Sequence, residues 1–407
     1  MKNAIANSLD QIESERDRDL IWLLQQLVMI PSWVSADEIG KEIHNENQLI
    51  DFLEDWLKKN TNLKVTKQPL KYGRFNLIGA KGRPDIIFLA HVDTVALPAK
   101  SIYPPLGAEI HNGKVWGRGS SDMKSGIACL LQAMALSPEA DNYWVFLYAD
   151  EEYDFLGMEA IVHDYADIKP KFIISADGTD LCVSHGCRGL IEIRAQIEGL
   201  ASHATSRKGK SAILGVYSCV SDLRTYLDKN VHPVMGGSSL NLAYLLGGKN
   251  FGNKGFEESG RLISVGQEGN VVPDIAEFVI DIRPSFPEIS VERVTSILRE
   301  SAEAKGLKLI IQNVRHNKGA WFTSLEDILK YTGIAKEVTG NTEVNLSDLK
   351  RGGYVDVQML WETVGRPPAL TFGGGTGKLE HTDDENVEID NVITARNFFL
   401  KVLENQK

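Results

Sequence analysis

Apolar residues recur at helical spacing in "RDLIWLLQQLVMI" and "NENQLIDFLEDWLKKN", whereas "FNLIGA", "DIIFLAHVD" and "YWVFLYA" are short apolar runs of strand length. Between the last two lies "SDMKSGIACLLQAMALS", which predicts a helix opening at Ser120–Asp122. "PKFIISADG" supplies another buried strand. Helix alternating with strand predicts an α/β domain, a mostly parallel sheet with helices on both faces.

Past residue 188 the texture changes. "LIEIRAQIEG" and "AEFVIDIRP" alternate apolar and polar positions, as antiparallel strands with one wet face do. "SAILGVYSCVSDLRTYLDKN" and "SVERVTSILRESAEAKG" are amphipathic helices, the second followed by "LKLIIQNV". Two helices on a small antiparallel sheet predict an α+β unit over residues 188–315, inserted into a domain formed by 1–187 and 316–407. "SLEDILKYTGIAKEVTG", "VQMLWETVG" and "PALTFGGG" return to helices and a buried strand. The glycine-rich stretch from Met235 to Gly260 reads as a strand running into a long loop, residues 249–269.

A length of 407 residues agrees with two cores. The formal net charge of -11 argues against nucleic acid or an anionic membrane as partner, since both need a basic face. The first twenty residues are charged and lack a signal peptide's apolar core, and "LIWLLQQLVMI" is too short to span a bilayer. The four cysteines, Cys129, Cys182, Cys187 and Cys219, show no zinc spacing and no dense disulfide framework. Free thiols and a cytoplasmic location are expected.

Four apolar runs end in residues that bind metals. "DIIFLA" ends at His91, "YWVFLYA" at Asp150–Glu152 and "KFIISA" at Asp177, while "PALTF" leads through a glycine loop to His381. Open α/β sheets place their sites at the carboxyl ends of strands. Asp122, in the turn before a helix, is a fifth candidate. Three adjacent carboxylates behind a buried strand, Asp150, Glu151 and Glu152, demand a positive partner. Two dications about 3.5–4 Å apart, sharing a bridging carboxylate, would meet that demand. Mixed His and carboxylate ligands suit zinc, with cobalt or manganese as alternatives. Asp93, two residues beyond His91 on an extended chain, faces the same way and can orient the imidazole.

The order "HVDTV", "GRGSSDMKSG", "DEE", "ADG", "ASHA", "GNVVPD", "DIR" and "HTDDENV" resembles the dinuclear zinc peptidases that include aminoacylase, acetylornithine deacetylase, succinyl-diaminopimelate desuccinylase and glutamate carboxypeptidase. The likeness covers nearly the whole chain. It implies that Asp122 bridges the metals and precedes a cis peptide to Met123, with His91 and Asp177 completing one metal and Glu152 and His381 the other. It makes Glu151 the general base and Asp93 the group that orients His91. In the inserted unit, a lid, it makes His203 the donor to the developing oxyanion, often from the partner subunit, and Asn270 and Arg283 the grip on the substrate's carboxylate. Gly374 and Gly375 would let backbone amides approach the ligand. The resemblance implies a homodimer through the inserted unit, acting on a small molecule.

The implied activity is hydrolysis of the amide bond of a small N-acyl amino acid or peptide with a free α-carboxylate. Asp177 stands where deacylases of the family usually carry Glu, and dipeptidase and aminopeptidase members more often carry Asp. Action on unblocked dipeptides therefore stays open as a second reading. A catalytically dead relative would typically lack a ligand or the base, and all are present here.

Overall fold

The computed structural model describes residues 12, 14–36, 42–44, 46–248, 269–350 and 352–406, so the expected loop lies, up to residue 268, outside the described residues. Helices α1 (Glu15–Met29) and α2 (Asn47–Asn60) precede strands β1 (Lys64–Pro69), β2 (Phe75–Lys81) and β3 (Ile86–His91). Then come α3 (Ser125–Leu136), β4 (Tyr143–Tyr148), α4 (Leu156–Asp164) and β5 (Phe172–Ser175). The run β6 (Leu190–Glu198), α5 (Ala212–Lys229), β7 (Ser239–Gly248), β8 (Ile275–Arg283), α6 (Val291–Ala304) and β9 (Lys308–Lys318) follows. The chain closes with α7 (Leu329–Thr339), β10 (Ala369–Thr371) and α8 (Ile389–Glu404). It divides into two compact units: Met1–His185, Thr323–Ser347 and Met359–Lys407 form one, and Gly186–Phe322 with Asp348–Gln358 the other. Among the described residues no helix is long and apolar enough to cross a membrane.

The first unit is built on a six-stranded sheet in the order β10-β5-β3-β4-β2-β1. The first three pairings are parallel and the last two antiparallel, so the sheet is mostly parallel. Every residue of β3 is buried, which explains its unbroken apolar run. Ile86, Phe88 and Ala90 join one core with Leu24 of α1, Ile127 and Leu131 of α3 and Phe398 of α8. Ile87 and Leu89 are fully buried on the opposite face. Helix α3 carries no charged side chain and is buried from Ser125 to Met134, as a helix enclosed on all sides must be. A Cβ on its Gly126 would lie 2.0 Å from the carbonyl oxygen of Ala176. Only glycine lets the first turn of α3 approach the end of β5 so closely, and this brings the Asp122 turn toward Asp177.

The second unit holds a four-stranded antiparallel sheet in the order β7-β8-β6-β9. Ile191, Ile193, Ala195 and Ile197 of β6 share a core with Val216 and Leu223 of α5 and Val294 and Leu298 of α6. The intervening Glu192, Arg194, Gln196 and Glu198 face away, which accounts for the alternation in the sequence. Strand β9 continues to Lys318, opposite Leu190. Strand β7 is an edge of the sheet, and its Leu242, Tyr244 and Leu245 are 38–41% exposed. All four cysteines are free thiols.

Candidate metal centre

His91 is the last residue of β3, Asp150–Glu152 follow β4, and Asp177 lies two residues beyond β5, so the parallel strands deliver these side chains to one edge of the sheet. The turn before α3 adds Asp122, whose peptide bond to Met123 is cis. His91 Nε2 lies 3.0 Å from Asp122 Oδ1, and His381 Nε2 lies 3.3 Å from Asp122 Oδ2. His381 Nε2 is also 3.0 Å from Glu152 Oε2. Asp122 thus presents one oxygen to each histidine, the disposition of a carboxylate shared between two ions. His91, Asp122 and Glu152 offer ligand atoms within 4.8 Å of one another. Asp177 is locally braced, its Oδ1 accepting the Gly178 N–H at 2.7 Å.

The electrostatics of the pocket fit dications. Burial, and next the charge of Asp122, push the Asp177 carboxyl up to about 6. Burial likewise raises Glu152 to about 7, against the pull of His381. Hydrogen bonds to Asp122 and Glu152 raise His381 to about 10. Burial disfavours the His91 imidazolium, but its bonds to Asp122 and Asp93 outweigh that and hold its pKa well above the usual value. Glu380, beside His381 and unsuspected from the sequence, is raised to about 9 by burial and by Asp177 and Asp122. Glu152, Asp177 and Glu380 resist ionising, and both histidines hold protons to compensate. The donor set of His and carboxylate suits two divalent ions of the zinc class.

Asp93 does more than the sequence implied. The His91 Nδ1–H donates to the Asp93 backbone carbonyl at 3.1 Å, and the carboxylate is 3.6 Å away. The Asp93 carboxylate accepts the backbone N–H groups of Glu151 at 3.1 Å and Glu152 at 3.0 Å. One residue therefore fixes the imidazole on one side and the acidic loop on the other.

The acidic triplet also divides. Asp150 is not a member of the cluster of histidines; Arg74 Nη2 reaches its Oδ1 at 2.9 Å, and Arg74 also pairs with Glu46. All three side chains are 1% exposed. The positive partner expected for the triplet is thus, for Asp150, an arginine from 76 positions away.

Glu385, in the stretch "HTDDENV", anchors the Asp122 turn. Its carboxylate accepts the backbone N–H groups of Gly119, Ser121 and Asp122 at 2.9–3.0 Å, and Arg118 Nη1 at 2.7 Å. Asn76, fully buried, accepts the Ala149 N–H at 3.0 Å and donates to the Gly157 carbonyl at 2.8 Å, bracketing the acidic loop. The glycine loop packs against the same turn. A Cβ on Gly375 would lie 2.0 Å from the Ser121 carbonyl oxygen, and one on Gly374 would lie 2.8 Å from the Asn391 backbone. Close approach to the chain's own backbone is reason enough for both glycines.

His203, Asn270 and Arg283 belong to the second unit. His203 and Asn270 are neighbours there: the Ala204 N–H donates to the Asn270 carbonyl at 2.8 Å, and His203 bridges to Val271. His203 Nδ1 accepts the Thr205 N–H at 3.3 Å, which leaves Nε2 as the other hydrogen-bonding atom of the ring. Arg283 is the last residue of the nine-residue β8, whose first residue follows Asp274 of the His203 loop region. At about 3.3 Å per residue, β8 separates Arg283 from the His203–Asn270 pair by roughly 27 Å. Its guanidinium fork is engaged by Asp281, at 3.0 and 3.2 Å.

Comparison with known proteins identifies the family. The model of peptidase family M20/M25/M40 matches residues 87–405. Acetylornithine deacetylase of Proteus mirabilis is 22% identical over 402 residues, 95% of this chain and 96% of that one. Aminopeptidase PepT of Bacillus cereus superposes with a TM-score of 0.69 at 18% identity, covering 95% of this chain and 98% of that one. A dinuclear metal-binding M20 peptidase of Bacillus subtilis gives 0.64 at 12% identity, covering 96% and 98%. With so much of its length matched by the family model, the chain belongs to peptidase family M20/M25/M40 and is a metal-dependent hydrolase of amide bonds.

Proposed function

We propose that the protein cleaves the amide bond of a small N-acyl amino acid or peptide carrying a free α-carboxylate. The observation that carries this reading is Asp122, held between His91 and His381 with Glu152 alongside. His91, Asp122, Glu152, Asp177 and His381 would hold two divalent ions, zinc first and cobalt or manganese as alternatives. When bound, such ions polarise an amide carbonyl and make a nearby water more acidic. Glu151, fixed through its N–H to Asp93, takes the proton of the attacking water and returns it to the leaving amine nitrogen. The Nε2–H of His203 donates to the oxyanion that develops on the carbonyl oxygen, a contribution of about 3 kcal/mol to the barrier. Arg283 and Asn270 hold the substrate's carboxylate, and the Arg283 fork then shares its donors with Asp281.

The separation of Arg283 from the His203–Asn270 pair along β8 supports a homodimer in which the partner supplies that pair, the inserted unit serving as lid and dimer contact. The exposed edge of β7, with Leu214 and Tyr217 exposed on α5, supplies an apolar surface for that contact. Leu245→Lys, at the centre of that edge, is expected to halve the solution mass and reduce turnover at least tenfold. A monomeric, fully active variant would sink the two-subunit site.

A second reading, action on unblocked dipeptides or tripeptides, is favoured by Asp177, an aspartate where dipeptidase and aminopeptidase members of the family more often carry one. Hydrolysis of N-acetyl and N-succinyl amino acids, set beside unblocked di- and tripeptides, separates the readings in the zinc- or cobalt-loaded protein. Turnover of blocked substrates alone supports deacylation, and turnover of free peptides alone supports the peptidase. Silence on both panels with two metals bound defeats the proposed reaction.

A further inference from the structure

The loop that carries Glu151 is tightly tied. Asp150 adopts a left-handed backbone, φ 70°. Its carbonyl accepts the Phe155 N–H at 2.8 Å, and its Oδ2 accepts the Leu156 N–H at 3.0 Å, closing the loop on itself. Its Oδ1 takes the Arg74 guanidinium at 2.9 Å. Arg74 immediately precedes β2, and its second partner, Glu46, immediately precedes α2. From the other side, Asp93 accepts the N–H groups of Glu151 and Glu152. Glu151 therefore sits between two clamps, one that begins at His91, at the end of β3, and one that begins at Arg74, at the start of β2 on the other side of β4.

A buried ion pair adds little net stability over a well-packed apolar pair, because both charges must be stripped of water. What it fixes is direction: the planar guanidinium admits its partners only along its N–H bonds. We propose that Arg74, acting through Asp150, is a positioning residue for Glu151, setting the angle at which the proton-transfer carboxylate meets the reacting atoms. The inference rests on Glu151 as the general base. The remaining clamp, Asp93, keeps Glu152 at the metal centre when Asp150 loses its charge. Metal loading and proton transfer should therefore separate in a variant that cuts only the Arg74 link.

Asp150→Asn makes that cut while leaving Arg74 paired with Glu46 in a neutral, buried couple. It is tested in the metal-loaded, full-length protein with whichever panel substrate is turned over. The expected result is a kcat about tenfold lower, as a misplacement of well under 1 Å would produce, with KM within about twofold and two metals still bound. In the Glu151→Gln background the same substitution is expected to cost nothing further. In the metal-free protein, hydrogen exchange of the Glu151 to Leu156 amides is expected to quicken about tenfold. The neutral double variant Arg74→Gln, Asp150→Asn repeats the test if the single one folds poorly. An unchanged kcat with a lowered Tm overturns the proposal, as does an equal loss in the Glu151→Gln background. Full activity of Glu151→Gln alone would instead remove the general-base reading, and the positioning role with it.

Discussion

Glu151→Gln is expected to lower kcat by about 10²–10⁴-fold while the protein still folds and still binds two metal ions. Glutamine matches glutamate in shape, so the N–H bond from residue 151 to Asp93 survives and Glu152 stays where it is. What disappears is the group that accepts a proton from water and delivers it to the departing nitrogen, whose loss raises the barrier at both steps. Steady-state kinetics on the preferred panel substrate, with metal analysis of the same sample, measures both halves of the expectation. A variant retaining more than a tenth of the wild-type kcat would mean that another carboxylate moves the proton, and Glu380 would be the first to examine.

Asp122→Ala is expected to abolish loading of both metals at stoichiometric concentrations and to bring turnover below detection. The reason is geometric, since this one side chain faces His91 with one oxygen and His381 with the other. The metal-free protein offers a second readout through pH. His381 is raised to about 10 in the folded chain by its bonds to Asp122 and Glu152, above the usual value near 6.5. A raised histidine stabilises the fold fully below its unfolded pKa, and that contribution is lost as pH climbs through the folded value. Metal-free wild type should therefore lose Tm between about pH 6.5 and 10, and Asp122→Ala should show a flatter profile over the same window. Identical profiles in the two proteins would remove Asp122 from its place between the histidines.

The candidate ligands His91, Glu152 and Asp177 stood out because each follows the end of an apolar run, whereas Asp122 precedes a helix and His381 follows a glycine loop. The alternation in β6 and β8 disclosed the second sheet in the same way. What stayed hidden depends on partners far away in sequence. Glu385 meets its amides across 263 to 266 positions, and nothing around it in "HTDDENV" distinguishes it from the two aspartates before it. Asp150 looked like the first of three equivalent acids, and only the left-handed turn at that residue directs its oxygens to Arg74 and Leu156. Asp93 was readable as the companion of His91 by its spacing, but its grip on the Glu151 and Glu152 amides arises from the parallel pairing of β3 with β4. The glycines before His381 suggested access for a ligand. The observed contacts of Gly374 and Gly375 are with the chain's own backbone, which no single-residue pattern announces.

Strand β8 is also a ruler. Because Arg283 ends it and the His203 loop lies at its start, the reach from one to the other is set by how many residues the strand contains, whatever those residues are. Removing two residues would preserve the inward and outward alternation, and the core with α5 and α6 would survive, yet Arg283 would retreat by about 7 Å. The sequence of β8 can thus drift freely within its apolar–polar rhythm, whereas its length sets how far Arg283 stands from the His203 loop of the same subunit.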